Sequence, residues 1–308
     1  MVICKDLEYM QHFDASVLTI GSLDGMHRGH TEIISELKGI SIAHNVPSVV
    51  ITFDPHPKSV IHPLDQSIQL LISSDKKMEY LDNYAVDYVW IIPFDKDFSK
   101  VSAGKFLKKY ISEYFNPLDI VIGYDHHFGF KREGNEDFLN KNTKKYSYKI
   151  HKKEPILYDD LPISSSRIRS YINKGNIEEA NECLGRKYEF SGTIVKGQGR
   201  GTQLKFPTAN IQPHISNQLI PRRGVYCVDA IIEDSCYTGM CNIGNRPTFY
   251  ENGESIIEVH LLSNDAMNLY EKDIVIKFKK YLREERKYES SSALTEQLEI
   301  DRQACFAT

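Results

Sequence analysis

The chain has 308 residues and a mass of 35.4 kDa, enough for about two domains that each bury a core. Its 41% hydrophobic and 26% charged residues are typical of a globular protein. With 38 Lys and Arg against 42 Asp and Glu, the net charge of −4 gives no overall attraction to nucleic acid or anionic lipid. No apolar run approaches the ~20 residues of a membrane helix, and no signal peptide is recognisable at the amino terminus.

The six cysteines are scattered along the chain without a Cys-x-x-Cys pair. In a reducing compartment this spacing favours idle thiols over a disulfide framework or a zinc site. The cysteines are Cys4, Cys183, Cys227, Cys236, Cys241 and Cys305.

The first half of the chain alternates short apolar runs with segments of helical periodicity. Strands are predicted at Ser16–Ile20, Ser48–Phe53, Tyr88–Ile92 and Asp119–Gly123. Helices are predicted at His30–Lys38, Asp75–Tyr84 and Ala103–Tyr114. Strands separated by helices of this length predict a doubly wound α/β domain with a parallel sheet, which we place at residues 1–184.

The second half changes to short β-rich runs after a helical connector at Ile168–Leu184, which is interrupted at Asn173-Lys-Gly175. Their spacing is that of an antiparallel barrel or sandwich. We expect this smaller β domain at residues 185–308, with a helix at its carboxyl end. The predicted elements are Glu189–Val195, Gly224–Ile232, Thr238–Ile243, Ile256–Leu262, Asp273–Phe278 and the helix Ser292–Cys305.

A glycine-rich segment with two histidines, Gly21-Ser-Leu-Asp-Gly-Met-His27-Arg-Gly-His30, follows the first predicted strand. In a doubly wound sheet, ligands bind at the carboxyl ends of strands, where a helix N-terminus presents free N–H groups to phosphate. His27 and His30 are about one helical turn apart, so both rings can face one ligand. A capped helix start or a chance metal spacing is the alternative interpretation.

This segment resembles the His-x-Gly-His signature of the nucleotidyltransferase superfamily, which joins a phosphate or similar nucleophile to the α-phosphate of a nucleoside triphosphate. The resemblance implies that His27 and His30 are catalytic and bind ATP with Gly21, Asp24 and Gly25. An ionised phosphate needs no strong base, so positioning and charge neutralisation by histidine, a helix N-terminus and Mg²⁺ suit this chemistry. The absence of a Gly-x-x-x-x-Gly-Lys-Ser/Thr segment argues against a P-loop NTPase.

A second polar segment, Ile163-Ser-Ser-Ser-Arg-Ile-Arg169, lies at the start of a predicted helix. Serines there commonly cap a helix, but three hydroxyls with two arginines also suit a triphosphate. The segment resembles the Ile-Ser-Ser-Thr-x-Ile-Arg motif of nucleotidyltransferases, with Ser166 in place of Thr. The resemblance implies that Ser164 and Ser165 bind ATP and that Arg169 is catalytic.

Two loops after predicted strands narrow the choice of acceptor for the nucleotidyl group. They are Thr52-Phe-Asp-Pro-His-Pro57 and Val121-Ile-Gly-Tyr-Asp-His-His-Phe-Gly129. Both resemble loops of prokaryotic FAD synthetases, the adenylyltransferase module of bifunctional riboflavin kinase/FAD synthetases. The resemblance implies that His56 and Asp125 lie toward FMN. An exposed polar loop is the alternative for residues 125–127, and a metal cluster there lacks a third partner with recognisable spacing.

The second half carries a segment, Gly197-Gln-Gly-Arg-Gly-Thr-Gln-Leu-Lys-Phe-Pro-Thr-Ala-Asn210, that resembles the riboflavin kinase signature. A flexible hairpin is the alternative for its glycine-rich part. The resemblance implies a β-barrel. It also implies that Glu258, in Ile257-Glu-Val-His-Leu-Leu262, is the general base for the ribityl hydroxyl. The alternative is that Glu258 is a solvent-facing strand residue. The resemblance also implies that Thr208 and Asn210 hold Mg²⁺ and ATP through oxygen atoms. The implied ATP-binding glycines of this domain are Gly197, Gly199 and Gly201.

The chain departs from the family pattern at a few loop positions. Leu23 stands where Phe is frequent, which is a conservative change. Lys205 and Glu271 stand where the family commonly has Gly, and Ser263 where it has Asp. A lost glycine can close a backbone approach or impose a disfavoured φ, so the kinase step stays open at this point.

From these motifs we expect an FMN adenylyltransferase that uses ATP and Mg²⁺ to make FAD and pyrophosphate, with phosphorylation of riboflavin in the second domain. The alternatives are a transferase with a kinase-inactive β domain, a non-catalytic flavin sensor, and nucleotidyl transfer to another phosphorylated acceptor. We also expect a cytoplasmic monomer or weak homo-oligomer whose partners are small molecules, with no nucleic acid or membrane.

Overall fold

The computed structural model describes residues 1–61, 68–196, 208–245, 255–262 and 269–308. The chain divides into two compact units, Met1–Ser164 and Ser165–Thr308. The predicted domain boundary between residues 184 and 185 stays a prediction. No helix within the described ranges combines the length and apolar character required to cross a membrane.

The first unit is built on a six-stranded, all-parallel sheet in the order β1-β4-β3-β2-β5-β6. The predicted parallel sheet is confirmed, and the four predicted strands are its central members. The sequence analysis missed the two edge strands, because β1 is very short and β6 has the charged sequence Lys-Ile-His-Lys-Lys. The strands are β1 Val2–Cys4, β2 Ser16–Ile20, β3 Ser48–Asp54, β4 Tyr88–Pro93, β5 Pro117–Gly123 and β6 Lys149–Lys153.

Helices cover both faces of this sheet. Val17 and Leu18 are adjacent on β2, yet they belong to two different apolar clusters and both are fully buried. Two-sided burial is the reason that the central strands are continuous apolar runs without alternation. The helices are α1 Arg28–His44, α2 Pro57–Ile61, α3 Ser74–Asn83, α4 Ala103–Lys105, a π-helical segment Phe106–Ser112, α5 Glu113–Phe115 and α6 Glu136–Tyr146.

Helix α1 extends beyond its prediction at both ends. It begins at Arg28, with His27 as its N-cap, and ends at His44, with Asn45 as its C-cap at a left-handed φ of 52°. In its last turn, His44 Nε2 lies 3.1 Å from the buried carboxylate of Asp119 on β5, whose other oxygen lies 2.7 Å from His151 Nε2 on β6. The carboxyl end of α1 is therefore fixed to the sheet.

The second unit begins with two helices, α7 Ser165–Lys174 and α8 Ile177–Leu184, which break at Gly175 as predicted. Gly175 has a φ of 83°, which glycine adopts without a steric penalty. A closed antiparallel barrel follows in the order β10-β13-β12-β11-β14-β9, so the predicted β domain is a barrel. Its elements are β9 Tyr188–Val195, β10 Ala209–Pro213, β11 Gly224–Ile232, β12 Ser235–Asn245, β13 Ser255–Leu261, β14 Asp273–Arg283 and α9 Ser291–Phe306. Two short strands of the first unit, β7 Leu157–Tyr158 and β8 Leu161–Pro162, form a hairpin that precedes α7 in the chain.

The carboxyl-terminal helix is joined to the barrel by a disulfide between Cys227 on β11 and Cys305 on α9. The expectation of six idle thiols is therefore wrong for this pair. The two residues lie 78 positions apart, and both are fully buried beside Met240. Sequence spacing did not reveal the pairing, because only the packing of α9 on the barrel brings the two sulfurs together.

Candidate active site

The loop between β2 and α1 is held by apolar anchors and left-handed residues. The N–H of Gly21 donates to the carbonyl of Ile51 in the middle of β3 (3.0 Å). Leu23, Gly25 and Met26 have φ values of 49°, 86° and 40°, and the Leu23 and Met26 side chains are buried in the core. The loop therefore turns sharply while two side chains fix it to the sheet.

His27 and His30 lie together at the start of α1. Their rings are stacked with centroids 3.6 Å apart and planes inclined by 19°. His27 is 5% exposed, and a Cβ on Gly29 would lie 3.2 Å from its Cε1, so a glycine leaves room for the ring. The structure thus brings the two predicted histidines together where the helix presents its free N–H groups.

Asp24 lies in the same loop, and its carboxylate is buried. Its Oδ1 accepts a 3.0 Å hydrogen bond from the N–H of Leu71. This hydrogen bond joins the loop to Leu71, and the ATP-binding role of Asp24 stays a prediction. Gly21 and Gly25 lie on either side of Asp24 in the sequence, so the predicted glycines and histidines of this segment lie in the β2–α1 loop and the first turn of α1.

A buried lysine that the sequence analysis missed lies beneath this loop. Lys77 Nζ donates to the carbonyl of Ser22 (3.0 Å) and to Thr52 Oγ1 (3.1 Å). Burial lowers the pKa of Lys77, while the carboxylates of Asp24 and Asp54 act in the opposite direction. The available signal was a lysine beside Met78 on the apolar side of α3.

The two flavin-side residues follow the strands on either side of β2. His56 follows β3, and its Nδ1 accepts from the N–H of Lys58 (3.2 Å) at the start of α2. Asp125 follows β5 and is exposed. Since β3, β2 and β5 are neighbouring parallel strands, His56, the His27 segment and Asp125 follow strand ends at the same edge of the sheet.

His126 has an unusual environment in the loop after β5. Its Nε2 is buried and meets no hydrogen-bond partner among the described residues. Burial, followed by the neighbouring His127, lowers the pKa of His126 to about 4. The exposed-loop alternative thus fits Asp125 and His127 but does not fit His126.

The serine–arginine segment extends across the boundary of the two units. Ser164 is the last residue of the first unit, and Ser165 begins α7 in the second. Arg167 is engaged with Tyr171, since its Nε donates to the tyrosine hydroxyl (3.0 Å) and its guanidinium lies over the ring. Arg169 lies two residues farther along the same helix and is half-buried.

The barrel aligns several polar side chains across adjacent strands. Asn210 on β10 pairs in register with Glu258 on β13, and Glu258 pairs with Asn242 on β12. Asn242, which the sequence analysis missed, has a buried Oδ1 without a hydrogen-bond partner among the described residues. Its Nδ2 lies 3.4 Å from Glu285 Oε1. Thr208, just before β10, is exposed, so the predicted Thr208–Asn210 pair borders this row.

Several predicted kinase-site positions cannot be compared with the structure. Gly197, Gly199, Gly201, Lys205 and Ser263 lie outside the described residues.

Glu271, the third departure from the family pattern, is described. Its φ is 67°, a conformation that favours glycine, and its N–H donates to the carbonyl of Ile194 (2.9 Å). Glu271 therefore has a left-handed backbone conformation that glycine would adopt without strain, at a cost in backbone strain.

No group of three His, Cys, Asp or Glu side chains in the described parts of the chain is arranged to hold a metal ion. Thr208 and Asn210 offer oxygen atoms, which are the donors that Mg²⁺ prefers. The donor chemistry of these residues therefore fits the implied metal.

Comparisons with known proteins agree with both halves of the chain. The FAD synthetase family model matches residues 10–167, and the riboflavin kinase family model matches residues 184–307. A bifunctional riboflavin kinase/FMN adenylyltransferase of Buchnera aphidicola is 33% identical over 93% of this chain and 91% of its own. That of Escherichia coli K12 is 32% identical over 94% and 91%.

Among solved structures, a crystal structure of a macrolide-efflux protein from Streptococcus pneumoniae superposes with a TM-score of 0.89. It is 27% identical and covers 99% of this chain and 98% of its own. Both family models together account for almost the whole sequence, and the curated relatives match over the same length. This chain belongs to the bifunctional riboflavin kinase/FMN adenylyltransferase family.

Proposed function

We propose that this protein converts riboflavin to FMN and FMN to FAD, using one ATP in each step. The observation that carries the adenylyl transfer is the stacked pair of His27 and His30 at the start of α1, between loops that carry His56 and Asp125. Family membership supplies the acceptor, and the site supplies a phosphate-binding helix start at the edge of the sheet where ligands bind.

In the transferase step, an oxygen of the FMN phosphate attacks the α-phosphorus of ATP, and the bond to the β-phosphate oxygen breaks. The products are FAD and pyrophosphate. The nucleophile is already ionised, so His27 and His30 act by stabilising charge on the phosphates, together with the N–H groups of α1. We propose that Ser164, Ser165 and Arg169 bind the triphosphate, and that His56 and Asp125 border FMN.

In the kinase step, the ribityl hydroxyl of riboflavin loses its proton to Glu258 as it attacks the γ-phosphorus of ATP, and ADP leaves. A neutral alcohol needs this general base, in contrast to the FMN phosphate. Thr208 and Asn210 would hold Mg²⁺, which supplies charge neutralisation at the phosphates when bound. The in-register pairing of Asn210 with Glu258 supports a shared site.

A second candidate is a transferase whose barrel does not phosphorylate riboflavin. Lys205, Ser263 and Glu271 at family-specific loop positions, with strain at Glu271, favour it.

Incubation of the full chain with Mg-ATP and either riboflavin or FMN, followed by chromatography of the flavins, tests both candidates. We expect FMN and then FAD from riboflavin, and FAD from FMN. FAD from FMN with no FMN from riboflavin would select the second candidate. No FAD from FMN would overturn the transferase assignment.

We also propose that the protein works in the cytoplasm, with small molecules as its only partners, as a monomer or a weak homo-oligomer. The net charge of −4 supports the absence of a nucleic-acid partner. Light scattering during size-exclusion chromatography would test the oligomeric state, since a stable large assembly contradicts it.

A further inference from the structure

The first unit contains a buried ammonium group, that of Lys77, which lies outside the nucleotidyltransferase-like and flavin-side motifs. Lys77 lies on α3 and is 7% exposed, whereas the neighbouring Lys76 reaches outward to Glu79 (2.8 Å). A buried charge is costly unless it is paired and hydrogen-bonded. The placement of Lys77 therefore requires compensating contacts, and these identify what it does.

The contacts of Lys77 connect three separate elements. Its Nζ donates to the carbonyl of Ser22 in the loop between β2 and α1, and to Thr52 Oγ1 on β3. Thr52 Oγ1 itself lies 3.3 Å from the same Ser22 carbonyl. Hydrogen bonds of the ammonium thus connect α3 with both the β2–α1 loop and β3.

Two carboxylates compensate the charge of Lys77 from the same two segments. Asp24 comes from the β2–α1 loop, and Asp54 is the last residue of β3. Asp24 is itself buried and bonded to the N–H of Leu71. Each segment therefore contributes one hydrogen-bond acceptor and one opposite charge to the lysine.

The two segments that Lys77 joins lead directly to proposed substrate contacts. Ser22 and Asp24 precede His27 by five and three residues, and Asp54 precedes His56 by two. An apolar residue on the buried side of α3 could fill space, but it would supply no hydrogen bond from α3 to the Ser22 carbonyl and Thr52. The hydrogen bonds and opposite charges offset the free-energy cost of burying the amine, and they also fix the spacing between the two loops.

We propose that Lys77 is a positioning residue for adenylyl transfer, whose ammonium fixes the loop that leads to His27 against the end of β3 that leads to His56. This inference rests on the proposed transferase function. Displacement of reacting groups by about 1 Å can cost about 100-fold in rate. Lys77 acts through the two loops and not by contact with a reacting atom.

The test compares Lys77→Met with the matched variant Lys76→Met in the full-length protein. Methionine keeps an unbranched side chain but removes the ammonium. We expect kcat/KM for FAD formation from FMN to fall about 100-fold in Lys77→Met and to change less than twofold in Lys76→Met. Riboflavin phosphorylation, assigned to the barrel, should change less than twofold in both variants.

A pH profile separates positioning from simple support of folding. Asp24 and Asp54 are the charged groups that face Lys77, and burial lowers its pKa. The advantage of the wild type over Lys77→Met should shrink as the pH rises and the amine loses its proton. If Lys77 only supported folding, Lys77→Met would lower the melting temperature and the active fraction, while its kcat/KM per folded molecule would match that of the wild type at every pH.

Lys77→Arg keeps a cation and provides the second variant if Lys77→Met folds poorly. We expect it to retain at least tenfold more activity per folded molecule than Lys77→Met. Wild-type kcat/KM in folded Lys77→Met, or equal loss in the Arg and Met variants, would overturn the proposal. A wild-type protein that makes no FAD from FMN would instead refute the proposed function on which the inference rests.

Discussion

At the scale of single residues, the stacked imidazoles of His27 and His30 are the most specific feature of the transferase unit. Two rings 3.6 Å apart at the N-terminus of α1 can address one anionic group, whereas each alone could be a helix cap. Leu23 keeps its side chain buried in the loop before them. The change from the family's frequent Phe therefore leaves the anchor of this loop in place.

Replacing His30 tests its role in charge stabilisation. We expect His30→Ala to lower kcat for FAD formation from FMN at least 100-fold, the size of effect seen when a charge-stabilising donor is removed. Riboflavin phosphorylation should change less than twofold. The matched variant His44→Gln, at the other end of α1, should retain FAD formation. Comparable losses in both reactions for His30→Ala would refute a transferase-specific role.

The buried ring of His126 predicts that the free energy of unfolding depends on pH. Its pKa is lowered to about 4 by burial and then by His127, while an unfolded imidazole titrates near 6.5. Between these values the unfolded chain binds the extra proton, so the stability contributed by neutral His126 is complete above about pH 6.5 and declines as the pH falls. The expected loss between pH 7 and pH 5 is about 2 kcal/mol.

Urea unfolding at several pH values measures this contribution. His126→Phe should flatten the dependence between pH 7 and pH 5, because the phenyl ring binds no proton. His127→Asn removes only the smaller of the two causes that lower the pKa of His126, so it should reduce the slope less than His126→Phe does. An unchanged slope in His126→Phe would show that His126 titrates normally in the folded protein.

At the scale of elements, the carboxyl-terminal helix α9 is attached to the barrel in two ways. The Cys227–Cys305 disulfide joins it to β11, and Arg283 on β14 donates to both carboxylate oxygens of Asp301, at 2.7–3.1 Å. Asp301 is almost fully buried, so this ion pair is shielded from water. The helix is thus an integral part of the second unit.

Removing the disulfide should destabilise the second unit. For a 78-residue separation, the chain-entropy model gives about 4.5 kcal/mol of stabilisation, relative to the reduced unfolded chain. Cys305→Ser, or added reductant, should therefore lower the melting temperature, whereas Cys236→Ser at an exposed free thiol should not. Thiol titration of the denatured, unreduced protein should find four free groups; six would contradict the disulfide.

At the scale of the whole molecule, each proposed reaction is assigned to a scaffold suited to its site. The parallel sheet gathers loop residues at one edge, and the barrel aligns Asn210, Glu258 and Asn242 by strand register. In the barrel the polar row depends on hydrogen-bond register, because a shift of one residue would turn Glu258 to the opposite face.

The two reactions should be separable by mutation in the intact chain. Glu258→Gln should lower riboflavin phosphorylation at least 100-fold, because the general base is lost, and leave FAD formation from FMN within twofold. His30→Ala should show the opposite pattern, with loss of FAD formation and retention of riboflavin phosphorylation. Glu296→Gln, on the exposed side of α9, serves as the control. Loss of FAD formation in Glu258→Gln would show that the reactions depend on each other.

Elements with strong local patterns were predictable from the sequence. β2, β3, β4 and β5 are apolar runs cut off by turn residues, and the predicted bounds differ from the structure by at most two residues. The spacing of His27 and His30 fixed their proximity, since residues three apart in a helix share a face. β1 and β6 were missed because short or charged edge strands carry no such pattern.

The sequence by itself determined the two-part architecture, the central strands and the histidine pair, because these depend on neighbours a few residues apart. Only the tertiary structure decided that β3 and β5 flank β2, that Lys77 is buried beneath the loop, that Cys227 meets Cys305, and that Asn242 lies beside Glu258. Each of these depends on contacts between residues 16 to 102 positions apart, and periodicity along the chain does not encode which distant segments pair.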